Sequence, residues 1–298
     1  MTNRSFAEFW ILYEHDNMKE TYPRYDAIGV KYNTYRNADI RIITILKELL
    51  GLPDGSIIVD VGAGTGNYTN ALASMGYKLK AIEPSAVMCE QTIPHPNVEW
   101  FAGSAESIPL PDDSVDGLIS TLAVHHFHDL STAAVEMWRV CGNSPMVLFT
   151  IDPRRGRPFW FREYFSGIYK RLYDAFVPVE KLISFFTEKH DAIASIHNFP
   201  LPCNLSDLNM HAGWNKPEIY LDPAVRIGMS GFAMSDQSEV QDGLELLHRD
   251  LITGKWEKRN GRFRTKGSYD FGFIFVNIKR RQDNQVDTGT KIMRRSWN

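Results

Sequence analysis

The chain has 298 residues, 43% of them hydrophobic and 23% charged, with a formal net charge of −3. That is enough apolar material for one large domain, or a core domain with a cap, to fold without disulfides or structural metal. The acidic balance argues against a general nucleic-acid binder, which would carry a basic excess or stripe. Cys89, Cys141 and Cys203 stand far apart with no ligand spacing, as suits a reducing compartment. No apolar run reaches the ~18 residues of a membrane span. Met1 to Tyr25 has no basic stretch followed by an apolar one, so a cytoplasmic protein is expected.

Residues 1–55 read as an N-terminal helical segment. Ile40, Ile43, Leu46 and Leu50 keep close to helical spacing, and Gly51-Leu52-Pro53-Asp54-Gly55 ends that helix. Ile57-Ile58-Val59 is a short β-branched run of the kind a buried parallel strand gives. A tight loop at Gly62 to Gly66 follows, then a helix from Thr69 to Met75. Leu79 to Ile82 predicts a second strand ending at Glu83, Val98 to Phe101 a third and Val115 to Ser120 a fourth. A helix over Thr132 to Val140 leads to a fifth strand at Met146 to Ile151. Strands alternating with helices imply a parallel α/β sheet.

The second half differs. Phe159 to Phe186 is aromatic and mostly helical in pattern, and Ala192 to Phe199 reads as a sixth strand. Asp207 to Arg259 reads as helical, with a start signal at Asp222-Pro223. Tyr269 to Ile278 alternates as a seventh strand. The expected divisions are an N-terminal segment at 1–55, a core at 56–155, helical cap insertions with one core strand at 156–265, a final core strand at 266–282 and a tail at 283–298.

The strongest signal is Val59-Asp60-Val61-Gly62-Ala63-Gly64-Thr65-Gly66-Asn67. It leaves a strand and opens a helix, where open α/β sheets bind ligands, and its glycines allow tight turns and close approach. A dinucleotide fingerprint would need glycine at position 67, where this chain has Asn67. With Asp60 just ahead of it, the loop suits a ligand with a cationic amine and no phosphate. Glu83, in Ala81-Ile82-Glu83-Pro84-Ser85, is placed to accept hydrogen bonds from two ribose hydroxyls.

Taken with Gly103-Ser104-Ala105-Glu106-Ser107-Ile108-Pro109-Leu110-Pro111-Asp112-Asp113-Ser114-Val115-Asp116 and Leu122-Ala123-Val124-His125-His126-Phe127, these motifs resemble the class I S-adenosylmethionine-dependent methyltransferase family, in its ubiquinone/menaquinone-methyltransferase-like branch. The resemblance covers roughly Ile57 to Ile151, more weakly Tyr25, Asp26, Tyr32 and Arg36. It implies an α/β fold with a Rossmann-like seven-stranded, mostly parallel sheet, helices on both faces and a helical lid. It also implies S-adenosylmethionine as cofactor. Asp60, Gly62, Ala63 and Gly64 would hold its methionine part, with Tyr32 at the carboxylate and Arg36 among the cofactor contacts. Glu83 and Pro84 would meet the ribose, Ser104, Ala105 and Glu106 the adenine, and Thr121 the cofactor from the end of the fourth strand. Many relatives carry Asp where this chain has Ser104, so altered adenine contacts are expected.

Methyl transfer from a sulfonium needs chiefly position, alignment and exclusion of water. A base helps when the nucleophile is a hydroxyl, and His125 and His126 are the candidates. Adjacent histidines rarely face one ion, and no carboxylate set accompanies them, so no metal is expected. Phe159, Trp160, Phe161, Tyr164, Phe165, Tyr169 and Tyr173 form either packed core or an apolar acceptor pocket. The expected activity is methylation of a small-molecule acceptor, most simply O-methylation of a metabolite or natural product. A tRNA-modifying enzyme and a non-catalytic cofactor-binding protein are the competing readings.

Overall fold

A computed structural model describes residues 36–188 and 190–281. Its seven-stranded sheet is built from β1 (Ile57–Val61), β2 (Lys78–Glu83), β3 (Val98–Ala102), β4 (Gly117–Thr121), β5 (Met146–Ile151), β6 (Ala192–Asn198) and β7 (Phe273–Arg280). The spatial order is β3-β2-β1-β4-β5-β7-β6. β1 pairs in parallel with β2 and β4, and β7 runs antiparallel to both β5 and β6. The order therefore reverses at β1, and the crevice between β1 and β4 is where ligands enter such sheets.

Both faces of the sheet are covered. On one, helix α1 (Ile40–Leu50) buries Ile42, Ile43, Leu46 and Leu49 with Phe149 and Phe275 of the sheet. Asp39 caps its N-terminus by accepting from the Arg41 N–H, and Gly51 ends it in a left-handed turn. Helix α2 (Asn67–Ser74) adds Leu72 and Ala73 to the same side. On the other face, α3 (Leu130–Cys141) buries Ala133, Ala134, Met137 and Trp138. The indole of Trp138 donates to the Phe186 carbonyl in α5 (Val179–Thr187), following α4 (Ser166–Ala175).

The second half departs from the sequence reading in two ways. Asp207 to Arg259 is not one helical run. It is turns and a 3-10 segment at Pro217–Leu221, short helices at Pro223–Ile227 and Ser230–Ala233, then α6 (Gln237–Ile252). Pro217, Pro223 and Gly228 interrupt what the apolar density suggested. Asp222 does start a helix, accepting from the Ala224 N–H with Pro223 next. The stretch expected as one strand from Tyr269 breaks at Gly272, whose φ is +85°. Ser268–Tyr269 pairs instead with Leu201–Pro202 in a separate ribbon. Of the aromatic set, which the sequence allowed as core or pocket, Phe159, Trp160, Phe161, Tyr164 and Phe165 are buried core, whereas Tyr169 is half-buried and Tyr173 exposed. Trp160 meets Tyr164, Tyr220 and Trp256 edge-on at 5.4 to 5.8 Å between ring centres.

This aromatic core fixes α4 and the 230–235 segment above the C-terminal edge of the sheet, as a helical lid. Among the described residues no helix is long and apolar enough to cross a membrane.

Candidate active site

The glycine loop follows β1 directly. Gly62, Gly64 and Gly66 have φ of +77°, +59° and +80°, a region that only glycine enters freely. The Gly62 and Ala63 N–H groups both donate to the Ile82 carbonyl, at 2.9 and 3.1 Å, which folds the loop over the end of β2. A Cβ on Gly62 would lie 2.5 Å from that of Ala123, and one on Gly66 2.7 Å from the Trp100 ring. The loop therefore packs as closely as its glycines permit, and α2 begins at its far end.

Glu83 closes β2 and is 7% exposed. Its Oε2 accepts from the Gly64 N–H at 2.8 Å and its Oε1 from the Ser85 N–H at 3.0 Å. Two main-chain donors thus fix the carboxylate between loop and strand end. Asp60, 1% exposed, lies beneath the loop and accepts from the Thr69 hydroxyl at 2.7 Å through Oδ2. Its Oδ1 is buried with no hydrogen-bond partner. Burial raises its pKa to about 7, the Thr69 bond opposing. An unsatisfied buried carboxylate oxygen calls for a donor from outside the chain; a cationic amine suits it.

These groups open on a cleft of about 1330 Å³ among the described residues, larger than the ~300–1,000 Å³ of a single small-molecule site. Of the residues expected from sequence, Arg36, Gly62, Ala63, Gly64, Glu83, Pro84, Ala105, Thr121, His125 and His126 line it. Asp60 does not; it is buried beneath the loop. Ser104 is taken up in a bridge with Ser107. Glu106 accepts from the N–H groups of His128 and Asp129, ordering the turn before α3. Tyr32 lies outside the described residues.

The two histidines sit in a 3-10 turn at Val124–His126, just past β4. Their rings lie 3.8 Å apart, and the His125 ring is 4.4 Å from that of Phe176. The His125 Nδ1 is enclosed without a partner. Burial, then His126 and Arg36, hold its pKa well below the imidazole range. Leu122, ahead of this turn, has φ of +54°, a conformation costing a side-chain-bearing residue roughly 1–2 kcal/mol. Its N–H donates to the Phe149 carbonyl at 2.8 Å, holding the strained residue in the cleft wall.

The sequence reading missed a polar cluster on the cap side. Arg36 pairs with Asp207 through Nε and, at 3.4 Å, through Nη2. Tyr68 donates its hydroxyl to Asp207 at 3.2 Å. Asp207 is 171 residues from Arg36, so no local signal points to it. The cap side of the cleft is mixed: Ile168, Leu172 and Ala175 of α4 line it with Arg171 and Asp174, and Ala233 and Met234 with Ser230 and Ser235. Among the described residues no group of three or more His, Cys, Asp or Glu converges as a metal site.

Residues 59–148 match a family model described as a methyltransferase domain. The structure superposes with TM-score 0.80 and 42% identity on a putative methyltransferase from an antibiotic biosynthesis pathway of Anabaena variabilis, covering 82% of this chain and 98% of that one. A ubiquinone/menaquinone biosynthesis C-methyltransferase of Rubrivivax gelatinosus is 35% identical over 29% of this chain and 35% of its own length. A 2-phytyl-1,4-naphtoquinone methyltransferase of Thermosynechococcus vestitus is 25% identical over 58% and 78%. The aligned stretch thus spans about a third of the first curated relatives it matches.

Proposed function

The chain belongs to the class I S-adenosylmethionine-dependent methyltransferases, and from that premise we propose that it methylates a hydroxyl group, phenolic or enolic, on a small molecule. S-adenosylmethionine is the cofactor, and when bound it supplies a methyl group activated by its sulfonium. The residues present fit it. Glu83 is fixed to accept from the ribose hydroxyls, and the unpartnered Oδ1 of Asp60 answers the amine. Of the residues that line the cleft, Ala105 would flank the base, Thr121 would face the nucleoside, and Arg36 would receive the methionine carboxylate.

The observation that carries the hydroxyl reading is the His125-His126 turn in the cleft wall that holds the glycine loop and Glu83. We assign His126 as the group that takes the hydroxyl proton, with the His125 ring packed against it at 3.8 Å. His125 is kept neutral by its surroundings through the physiological range. Such a base works only on an acidic hydroxyl, because proton transfer becomes costly as the pKa gap widens. A phenol, with a pKa of about 10, is within reach; an aliphatic alcohol is far less so. Ile168, Leu172, Ala175 and Met234 give the acceptor an apolar surface beside the histidines.

Three features support a small acceptor. The cleft is roofed by the cap. Three of the basic residues near the C-terminal end are engaged in ion pairs: Arg259 with Asp250, Arg264 with Glu218 and Glu257, and Arg281 with Asp191. The putative methyltransferase that is 42% identical over 82% of this chain is described by its part in antibiotic biosynthesis, which supports a natural-product acceptor.

Radiolabelled S-adenosylmethionine and a panel of phenols, enols and amines test this. His126→Ala is expected to lower kcat with a phenol by about 10²-fold or more, with S-adenosylhomocysteine affinity unchanged. If His125→Ala and His126→Ala both leave that rate unchanged, the base assignment is wrong. Transfer to carbon or nitrogen only would contradict the hydroxyl reading.

A further inference from the structure

We propose that Asp207, in the cap, is a positioning residue for the cofactor: it holds the Arg36 guanidinium at the methionine end of the site. The inference rests on the reading of Arg36 as the carboxylate's partner given above.

The geometry orders the site from one side of the sheet to the other. Ala105 follows β3, Glu83 ends β2, and the histidines follow β4. With transfer placed beside the histidines, as proposed above, the cofactor's sulfur would lie there and its amino-acid group beyond the ribose. Arg36 is on that side. Its charge acts on His125, and its carbonyl accepts from the Asn67 amide at the start of α2.

Among the described residues, the contacts on the Arg36 guanidinium come from the cap. Asp207 takes two of its N–H donors, and the Gly228 carbonyl takes one at 3.2 Å. A main-chain bridge joins the same two residues, Arg36 and Asp207. Tyr68, one residue into α2, donates to Oδ2 of that carboxylate, the oxygen that Arg36 Nη2 also reaches. Asp207 is 1% exposed. A buried carboxylate is kept only where charge and donors satisfy it, and here every partner stands around the cleft. A guanidinium has five donors in a rigid fork, so one carboxylate can hold it while another is bound. The cap thereby takes part in recognising a cofactor whose remaining contacts come from the sheet edge.

The test is calorimetric titration of the full chain with S-adenosylhomocysteine and with 5′-methylthioadenosine, which keeps the nucleoside and thioether but lacks the amino-acid group. Asp207→Asn is expected to weaken S-adenosylhomocysteine about tenfold, the scale of one charge-assisted contact, and to leave 5′-methylthioadenosine unchanged. Tyr68→Phe, which removes one hydroxyl, is expected to give a smaller loss confined to the first ligand; it serves if Asp207→Asn does not fold. Equal losses for both ligands, no loss, or tighter S-adenosylhomocysteine binding would overturn the proposal, the last by showing that Asp207 competes for Arg36. Arg36→Met separates the two readings. If its loss is selective and that of Asp207→Asn is not, only the role of Asp207 falls. If Arg36→Met is itself unselective, the reading of Arg36 falls with it.

Discussion

Asp60 ties both stability and cofactor binding to pH. Its folded pKa of about 7 exceeds the ~3.9 of an unfolded chain, so the native state holds the proton more tightly. That contribution is complete below pH ~3.9 and is lost as pH rises through 7, by up to about 4 kcal/mol. The cofactor's amine needs the ionised form, so binding runs the other way. S-adenosylhomocysteine is expected to bind more tightly at pH 8 than at pH 6 and to release a proton, read from calorimetry in buffers of different ionisation heat. Asp60→Asn should abolish the proton release; a release that persists would assign it elsewhere. His125 has the opposite sign to Asp60 in stability. Its lowered pKa means that its contribution is present above pH ~6.5 and lost as pH falls. Urea unfolding of His125→Phe should show a shallower loss below pH 6 than the wild type.

At the scale of elements, the loop and helix α1 carry the sharpest expectations. Gly62→Ala combines a left-handed φ with a 2.5 Å approach to Ala123. It should cost about 1–3 kcal/mol and abolish S-adenosylhomocysteine binding; a variant that binds normally would show that the loop adapts. Asp39 caps α1, bonds the Arg41 side chain and accepts from the Ser206 N–H and hydroxyl. Burial works against its ionisation, but the Arg41 and Ser206 bonds hold the carboxyl at about 2. Asp39→Ala should therefore cost more than the ~0.5–2 kcal/mol of a cap alone, measured by urea unfolding at pH 7. The loop and Glu83 were legible in sequence because strand, glycines and acid are neighbours along the chain. Leu122, Tyr68 and Asp207 were not. A left-handed leucine has no composition signal, and the Asp207 partners lie on other elements.

Across the whole molecule, the first half was read well because each strand is a short apolar run between clear turns, and the five strands to Ile151 fall where they were expected within two residues. The cap was read less well. Its aromatic density matches both a ligand pocket and a core, and burial alone decides between them. Phe161 and Phe165 pack on Tyr220 and Phe232, so the aromatic residues support the roof while smaller ones face the cleft. The same packing sets α4 and the 230–235 segment opposite the sheet edge, which lets one cleft hold a cofactor and an acceptor together.

The measurement that bears most directly on this account is calorimetric titration of the full chain with S-adenosylhomocysteine beside NADH, in the wild type and in Glu83→Ala. The account predicts one-to-one binding of S-adenosylhomocysteine, none of NADH, and loss of the first in the variant. A well-folded protein that ignores S-adenosylhomocysteine, or binds it equally without Glu83, would contradict it.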